Sequence, residues 1–433
     1  MKQAGSAESS PPRLLWPFKQ LYYGWGIAAT TLLISFASAP MYGPVLSIWV
    51  KPIGDEMGWS RTQISFAFTV GSFVGSMLTS VMGPILDRHG ARTVTVVAGV
   101  LVASVLVGLA LMQAPWQMWL FFGAGRGAAI AGIQFGSTVA LANWFVHKRG
   151  RASAYAGFGL RFGQAVIPLM VLPIILAVGW RSAYGALAVS TLLLAAVPAF
   201  LFMRRRPEDY GLHPDGAEAA PQQTPGGTLS ARDAVEQAQW TVRQAFRTPA
   251  LWMVVVALST FGFAQTAVNL HAVASFQERG VSFAASTTIV FVWAMTSALS
   301  TFFWGWLIDR THIRFTMMAT GLFYLVSMVL IIRADSYLDA VVFGLFWGIG
   351  AGGWSLGFRL LIPNYFGRRS TGAIRGATAP ILAIVGPVGP TLAGYIRDTT
   401  GDYELAFKVF AGVFVIGIVS MLLAPPPRHP AAR

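Results

Sequence analysis

Twelve runs of apolar residues, each about as long as a bilayer is thick, constrain this chain more than any single motif does. A helix needs about 20 apolar residues to span the hydrocarbon core. Runs of that kind cover residues 22–48, 63–86, 93–112, 117–142, 152–178, 183–203, 250–275, 284–307, 315–332, 340–362, 376–396 and 405–423. They are numbered here as spans 1 to 12. A soluble domain is about a quarter charged, whereas this chain is 11% charged and 55% hydrophobic. The expected class is therefore an all-α membrane protein with twelve transmembrane helices. The net charge of +14 does not point to nucleic acid, because the Lys and Arg lie in short turns between apolar runs. A binding groove would need them interleaved with stacking aromatics. There is no cysteine, hence no disulfide and no thiolate metal site, and no cofactor is expected. Residues 1–20 are polar and contain proline, so a secretory leader with an apolar region is not expected.

Charge and repetition organise the spans. Placing both termini in the cytoplasm puts 21 of the 31 Lys and Arg on that side and 7 outside, as the positive-inside bias requires. Gly83-Pro-Ile-Leu-Asp87-Arg88 after span 2 is echoed by Gly305-Trp-Leu-Ile-Asp309-Arg310 after span 8, 222 residues later. Asn143-Trp144-Phe145 after span 4 is echoed by Asn364-Tyr365-Phe366 after span 10, at an offset of 221. Matching offsets predict two six-helix halves of like topology, with a binding site near the midplane between them. The expected division is a tail 1–21, a first half 22–203, a linker 204–249, a second half 250–424 and a tail 425–433. Within the linker, Ser230-x-x-Asp233 resembles a capping box. It would start a polar helix over residues 231–247 at the membrane surface, the alternative being an irregular linker.

Gly83–Arg92 reads GPILDRHGAR and resembles the G-x-x-x-D-R-x-G-x-R loop of the major facilitator superfamily. The second copy, over residues 305–314, is a looser match. On that resemblance Asp87, Arg88, Asp309 and Arg310 belong to gating and folding rather than to substrate. Within the superfamily the chain resembles the monocarboxylate-transporter and oxalate–formate-exchanger branch, in four passages. These are Tyr23-Gly-Trp-Gly26, the segment from Trp49 to Arg61, the segment from Trp144 to Gly163, and Gly394-Tyr-Ile-Arg-Asp398-Thr-Thr-Gly401-Asp-Tyr403. The resemblance implies transport of small organic anions, often with a proton. The chain departs from that branch in two places. Span 8 has no Asp–Arg pair, and span 1 has no lysine, Lys51 lying just beyond it.

The charges inside the spans are therefore read directly. All 17 Asp and Glu fall in loops or at helix ends, while Arg126, Arg161 and Arg359 lie within spans 4, 5 and 10. An arginine at mid-bilayer costs about 2.5–3.5 kcal/mol on insertion scales and faces the bundle interior or a wet cavity. Arg161 has no in-span carboxylate to neutralise it, and a guanidinium fork matches a carboxylate ligand. Arg161 is thus the expected carboxylate clamp and Arg359 a second cationic contact. Arg126, in Gly125-Arg126-Gly127, reads as a structural or coupling residue or as a substrate contact. His271 is the one in-span histidine, a gate or proton group if it is not simply packed. Gln265 and Asn269 share a helix face at i, i+4 and are candidate substrate contacts or interhelix bonds. Tyr42 and Trp293 are candidate walls of an apolar pocket, with core packing as the alternative.

The expectation is a transporter of a small organic anion, a mono- or dicarboxylate, working by rocker-switch alternating access. Protons are a candidate second partner, and a monomer among membrane lipids is the expected state. A drug or organic-cation exporter of the same fold is the first alternative. It would be expected to carry an intramembrane carboxylate, which is absent from the spans. A non-transporting membrane sensor is the second. No nucleophile–base pair or metal-ligand cluster suggests an enzyme.

Overall fold

The computed structural model describes residues 22–145, 148–216, 240–367, 371–425 and 427. The first half consists of α1 (Tyr23–Ala37), α2 (Gly43–Met57), α3 (Arg61–Ala110), α4 (Pro115–Gly127), α5 (Phe135–Trp144), α6 (Arg149–Val178), α7 (Trp180–Thr191) and α8 (Val197–Phe202). After a short α9 (Val242–Phe246), the second half consists of α10 (Pro249–Glu278), α11 (Phe283–Arg310), α12 (Ile313–Arg333), α13 (Tyr337–Phe366), α14 (Thr371–Thr400) and α15 (Glu404–Leu422). Among the described residues, nine helical segments are long and apolar enough to cross a membrane. They correspond to spans 3, 5, 6 and 7 to 12. Spans 1, 2 and 4 are helical too, but with interruptions or more polar stretches.

Span 1 is not the single helix that hydropathy suggests. It breaks between α1 and α2, and α2 then runs on to Met57, so Lys51 is helical rather than part of a loop. Pro44 explains the break. It has no N–H to donate, and α2 restarts with the amides of Val45 and Leu46 both reaching back to the Tyr42 carbonyl. The Met41 carbonyl is left without a helical partner. Spans 2 and 3 form one run, α3, which turns sharply at Gly90 (φ 78, ψ 155). That backbone conformation suits glycine, which gives the glycine of the GPILDRHGAR loop a mechanical role. Span 4 contains a π-helical turn over Ala128–Gln134 between α4 and α5, an insertion often found near functional sites. In the linker, the helix begins at Thr241, whose hydroxyl accepts from the Gln244 amide. The expected start at Ser230-x-x-Asp233 lies outside the described residues.

The two ends of the bundle are named here by their turns. The Gly58 end carries the turn between α2 and α3, and the Gly90 end carries the corner of α3. The halves meet chiefly along α3 with α14, α6 with α11 and α2 with α10. Bulky apolar side chains such as Phe302, Leu299 and Leu111 are exposed around the outside, as a lipid-facing surface requires. The glycine-rich stretches set the helix spacing. A Cβ on Gly159 would strike the Leu32 carbonyl, so α6 packs backbone against backbone on α1, whereas Gly157 faces open space.

Candidate functional site

Three polar side chains converge at mid-depth between the halves. Arg161 lies about 18 Å along the 30-residue α6, at roughly 1.5 Å per residue. It is deep in the bundle yet half-buried rather than sealed. Its electrostatic neighbours are Tyr324 on α12 and Arg359 on α13. Among the described residues it forms no hydrogen bond and no ion pair, so five N–H donors stand without an acceptor. Tyr324 is fully buried, and its hydroxyl has no hydrogen-bond partner. The Gln265 carboxamide on α10, 8% exposed, lies close beside that hydroxyl without reaching good hydrogen-bond geometry, and Arg161 is its charged neighbour. Such uncompensated groups are costly inside a membrane protein unless something else meets them.

Packing aims the Tyr324 ring. It stacks on Phe414 at 4.9 Å between centroids and lies 4.5 Å from the Trp347 ring. Trp347 is fixed in turn by its indole N–H, which donates to Asn269 Oδ1 at 2.9 Å. One lone pair of the Asn269 carbonyl is engaged in this support, which leaves its second lone pair and its amide hydrogens for another partner. Trp293 is 3% exposed and packs edge-on against Phe343. These contacts seat it in the packing between α11 and α13. Arg359 is exposed and nearer the Gly90 end, beside Arg375, which donates to the Phe358 carbonyl.

Arg126 has a different environment. Its Nη1 donates to the Met41 carbonyl at 2.5 Å and its Nε to Ser72 Oγ at 2.8 Å. The guanidinium carbon sits 3.9 Å over the Phe68 ring and 5.1 Å over Tyr42. The guanidinium thus closes the carbonyl left open by the break in span 1, and Tyr42 is drawn into that clasp. Of the two readings of Arg126, the structural one matches these contacts. Hydrogen bonds to charged groups contribute about 1.5–3 kcal/mol each. Arg126→Ala is therefore expected to lose about 3 kcal/mol of stability, seen as a lower Tm of the purified protein. Arg126→Lys should recover only part of it, because an ammonium lacks the planar fork.

At the Gly58 end a polar seam joins the halves, and the sequence did not reveal it. The Asp398 carboxylate, from α14, accepts from the backbone amides of Arg61 at 3.1 Å and Thr62 at 2.8 Å, and from the Thr62 hydroxyl at 2.6 Å. Those amides open α3, so an acid of one half caps the positive N-terminus of a helix in the other. A Cβ on Gly394 would come within 2.8 Å of the Arg61 and Thr62 backbone, so this approach needs glycine. Arg61 is 5% exposed and reaches Glu278 at 3.4 Å, and Glu278 also pairs with Arg397 at 3.1 Å. Thr69 donates to the Pro387 carbonyl at 2.6 Å and meets the Thr391 hydroxyl at 2.8 Å. Two of the passages that carry the family resemblance, those ending at Arg61 and beginning at Gly394, thus face each other.

His271 is the centre of this seam. Its Nε2 is 2.9 Å from both Ser65 Oγ and the Pro390 carbonyl, and its Nδ1 is 3.1 Å from the Tyr403 hydroxyl. Ser65 gives its own hydrogen to the Arg61 carbonyl, and a carbonyl only accepts. Nε2 therefore carries a proton, and Nδ1 is hydrogen-bonded with the Tyr403 hydroxyl. The imidazole is fully buried, with both ring nitrogens bonded. The described hydrogen bonds between the halves all join residues 61–69 to residues of α10 and α14. None lies at the Gly90 end among the described residues.

The side chains of Asp87 and Asp309 lie outside the described residues. Arg88 is exposed and has no described hydrogen bond or ion pair. Arg310 lies 4.2 Å over the Trp306 ring.

Comparison with known proteins agrees with this architecture. The probable sulfoacetate transporter SauU of Cupriavidus necator is 24% identical, over 88% of this chain and 89% of its own. Monocarboxylate transporter 11 of Homo sapiens is 23% identical, over 91% of this chain and 81% of its own. The crystal structure of the nucleoside transporter NupG superposes with a TM-score of 0.69 at 12% identity, covering 92% of this chain and 98% of that one. The model of the Major Facilitator Superfamily matches residues 27–390, and the chain therefore belongs to that superfamily of multi-pass membrane transporters.

Proposed function

We propose that this transporter carries a small organic anion, a mono- or dicarboxylate, by alternating access of the two halves to a site at Arg161. The observation that carries the proposal is the unpaired guanidinium at mid-depth. The protein supplies it with no described acceptor, and a carboxylate matches its fork. The described relatives with sulfoacetate and monocarboxylate in their names point to the same chemistry. With the loop charges placed by the positive-inside bias, the Gly58 end is external, and the polar seam joins the halves on that side. Arg359, nearer the Gly90 end, would then meet the anion on its way in or out.

An anion bridging Arg161 of the first half to the second would draw the Gly90 ends together and part the seam. Differential binding of this kind is what shifts a two-state equilibrium. His271 would exchange its proton only when the seam is parted, since both ring nitrogens are occupied here. The test is uptake into proteoliposomes across a panel of carboxylates of two to six carbons, with cationic dyes as competitors. Saturable carboxylate uptake, competed by other carboxylates and not by dyes, is expected. Uptake competed by the dyes alone would overturn the proposal.

A further inference from the structure

Tyr324 differs from the other buried tyrosines of the second half. The Tyr365 hydroxyl donates to the Ala424 carbonyl at 2.7 Å, and the Tyr403 hydroxyl is bonded to His271. The Tyr324 hydroxyl is as buried as these and has no partner. Its ring cannot swing away, because Phe414 and Trp347 hold its faces and a Cβ on Gly350 would already touch its edge at 2.8 Å. The hydroxyl is thus held beside the Gln265 carboxamide, with Arg161, which makes no described hydrogen bond, as its charged neighbour.

We infer that Tyr324 and Gln265 form a neutral subsite opposite Arg161, which takes a hydroxyl or carbonyl oxygen of the transported anion. This rests on the reading of Arg161 as the anion clamp and specifies the rest of the ligand. A guanidinium on one wall satisfies one charged group. The opposite wall offers a phenol and a carboxamide, which donate and accept hydrogen bonds but do not neutralise a second charge. A ligand with its charge at Arg161 and a neutral oxygen at Tyr324 would meet both the open guanidinium and the open hydroxyl of this site. It would also span the two halves, because Arg161 belongs to the first and Tyr324 and Gln265 to the second. A site built to bond a substrate oxygen discriminates strongly against an analogue that lacks it, because the buried polar groups are then left unpaired.

The test pairs each 2-hydroxy or 2-oxo carboxylate of two to six carbons with its unsubstituted analogue, such as lactate with propionate, in proteoliposome uptake. The wild type, Tyr324→Phe and Arg161→Gln are compared. The wild type is expected to prefer the oxygen-bearing member of at least one pair by about 10-fold or more in kcat/KM. Tyr324→Phe should cut that preference towards unity, lowering uptake of the oxygen-bearing member far more than that of its unsubstituted analogue. A packing role alone would lower both members equally and leave the ratio intact, and that result overturns the inference. A wild type without preference also overturns it. The failure of the anion reading is distinct: Arg161→Gln would then transport both members as well as the wild type does. Gln265→Leu gives a second variant with an intact Tyr324 ring, and it should move the ratio in the same direction.

Discussion

Arg161→Gln is expected to reduce carboxylate uptake by about 100-fold or more in kcat/KM. Truncating one partner of a buried, hydrogen-bonded charge pair costs about 2–5 kcal/mol, and each 1.4 kcal/mol is a factor of ten. Arg161→Lys keeps the charge but loses the fork, so its uptake should fall between the two. The accompanying stability result separates this from an ordinary structural arginine. Arg161 makes no described hydrogen bond or ion pair, so its removal takes nothing from the folded state and relieves a charge held inside the bundle. The Tm of Arg161→Gln should equal or exceed that of the wild type, whereas that of Arg126→Ala should fall. Thermal unfolding of the two purified variants side by side checks this contrast. A marked loss of Tm in Arg161→Gln would mean that the residue holds the fold together.

The second large effect is expected at the seam. Asp398→Ala removes three hydrogen bonds and the carboxylate that caps α3 across the half interface. A net loss of about 2 kcal/mol, within the range for hydrogen bonds to a charged group, shifts a two-state equilibrium by about 30-fold. The shift should favour the state parted at the Gly58 end. The chain has no cysteine, so labels can be placed without removing native thiols. Gln113→Cys and Leu338→Cys, both exposed near the Gly58 end, report the separation of the halves by spin-label distance measurement. Asp398→Ala should populate a longer distance that is minor in the parent. An unchanged distribution would show that the seam does not hold the described state.

The sequence made the membrane fold legible because hydropathy and loop charge are local properties. A run of apolar residues is apolar whatever packs against it, and a basic turn biases topology without knowing its neighbours. Arg161 was legible for the same reason, as a cation where the spans offer no carboxylate. Partnership was not legible. Arg126 and Arg161 look alike along the chain, each an arginine among glycines, and they differ only in what surrounds them. One meets the Met41 carbonyl that the break before Pro44 leaves open, and the other meets no described acceptor. Trp293 and Tyr324 are likewise both aromatic residues on apolar helices. Only packing shows that the first is core and that the second presents an unpaired hydroxyl. The seam escaped because Arg61 and Asp398 are 337 residues apart. Each looks like an ordinary charge at a helix end until the halves close. His271 was visible as an oddity, but its fully bonded ring depends on Ser65, Pro390 and Tyr403, which no spacing rule connects to it.

The central claim is that a carboxylate completes the charge at Arg161. It is tested most directly by equilibrium binding to the purified full-length protein, with each carboxylate of the panel compared with its carboxamide of nearly the same shape. Binding of at least one carboxylate, about 100-fold tighter than its amide and lost in Arg161→Gln, is the result expected. Equal affinity for acid and amide, or undiminished carboxylate binding by Arg161→Gln, would contradict it.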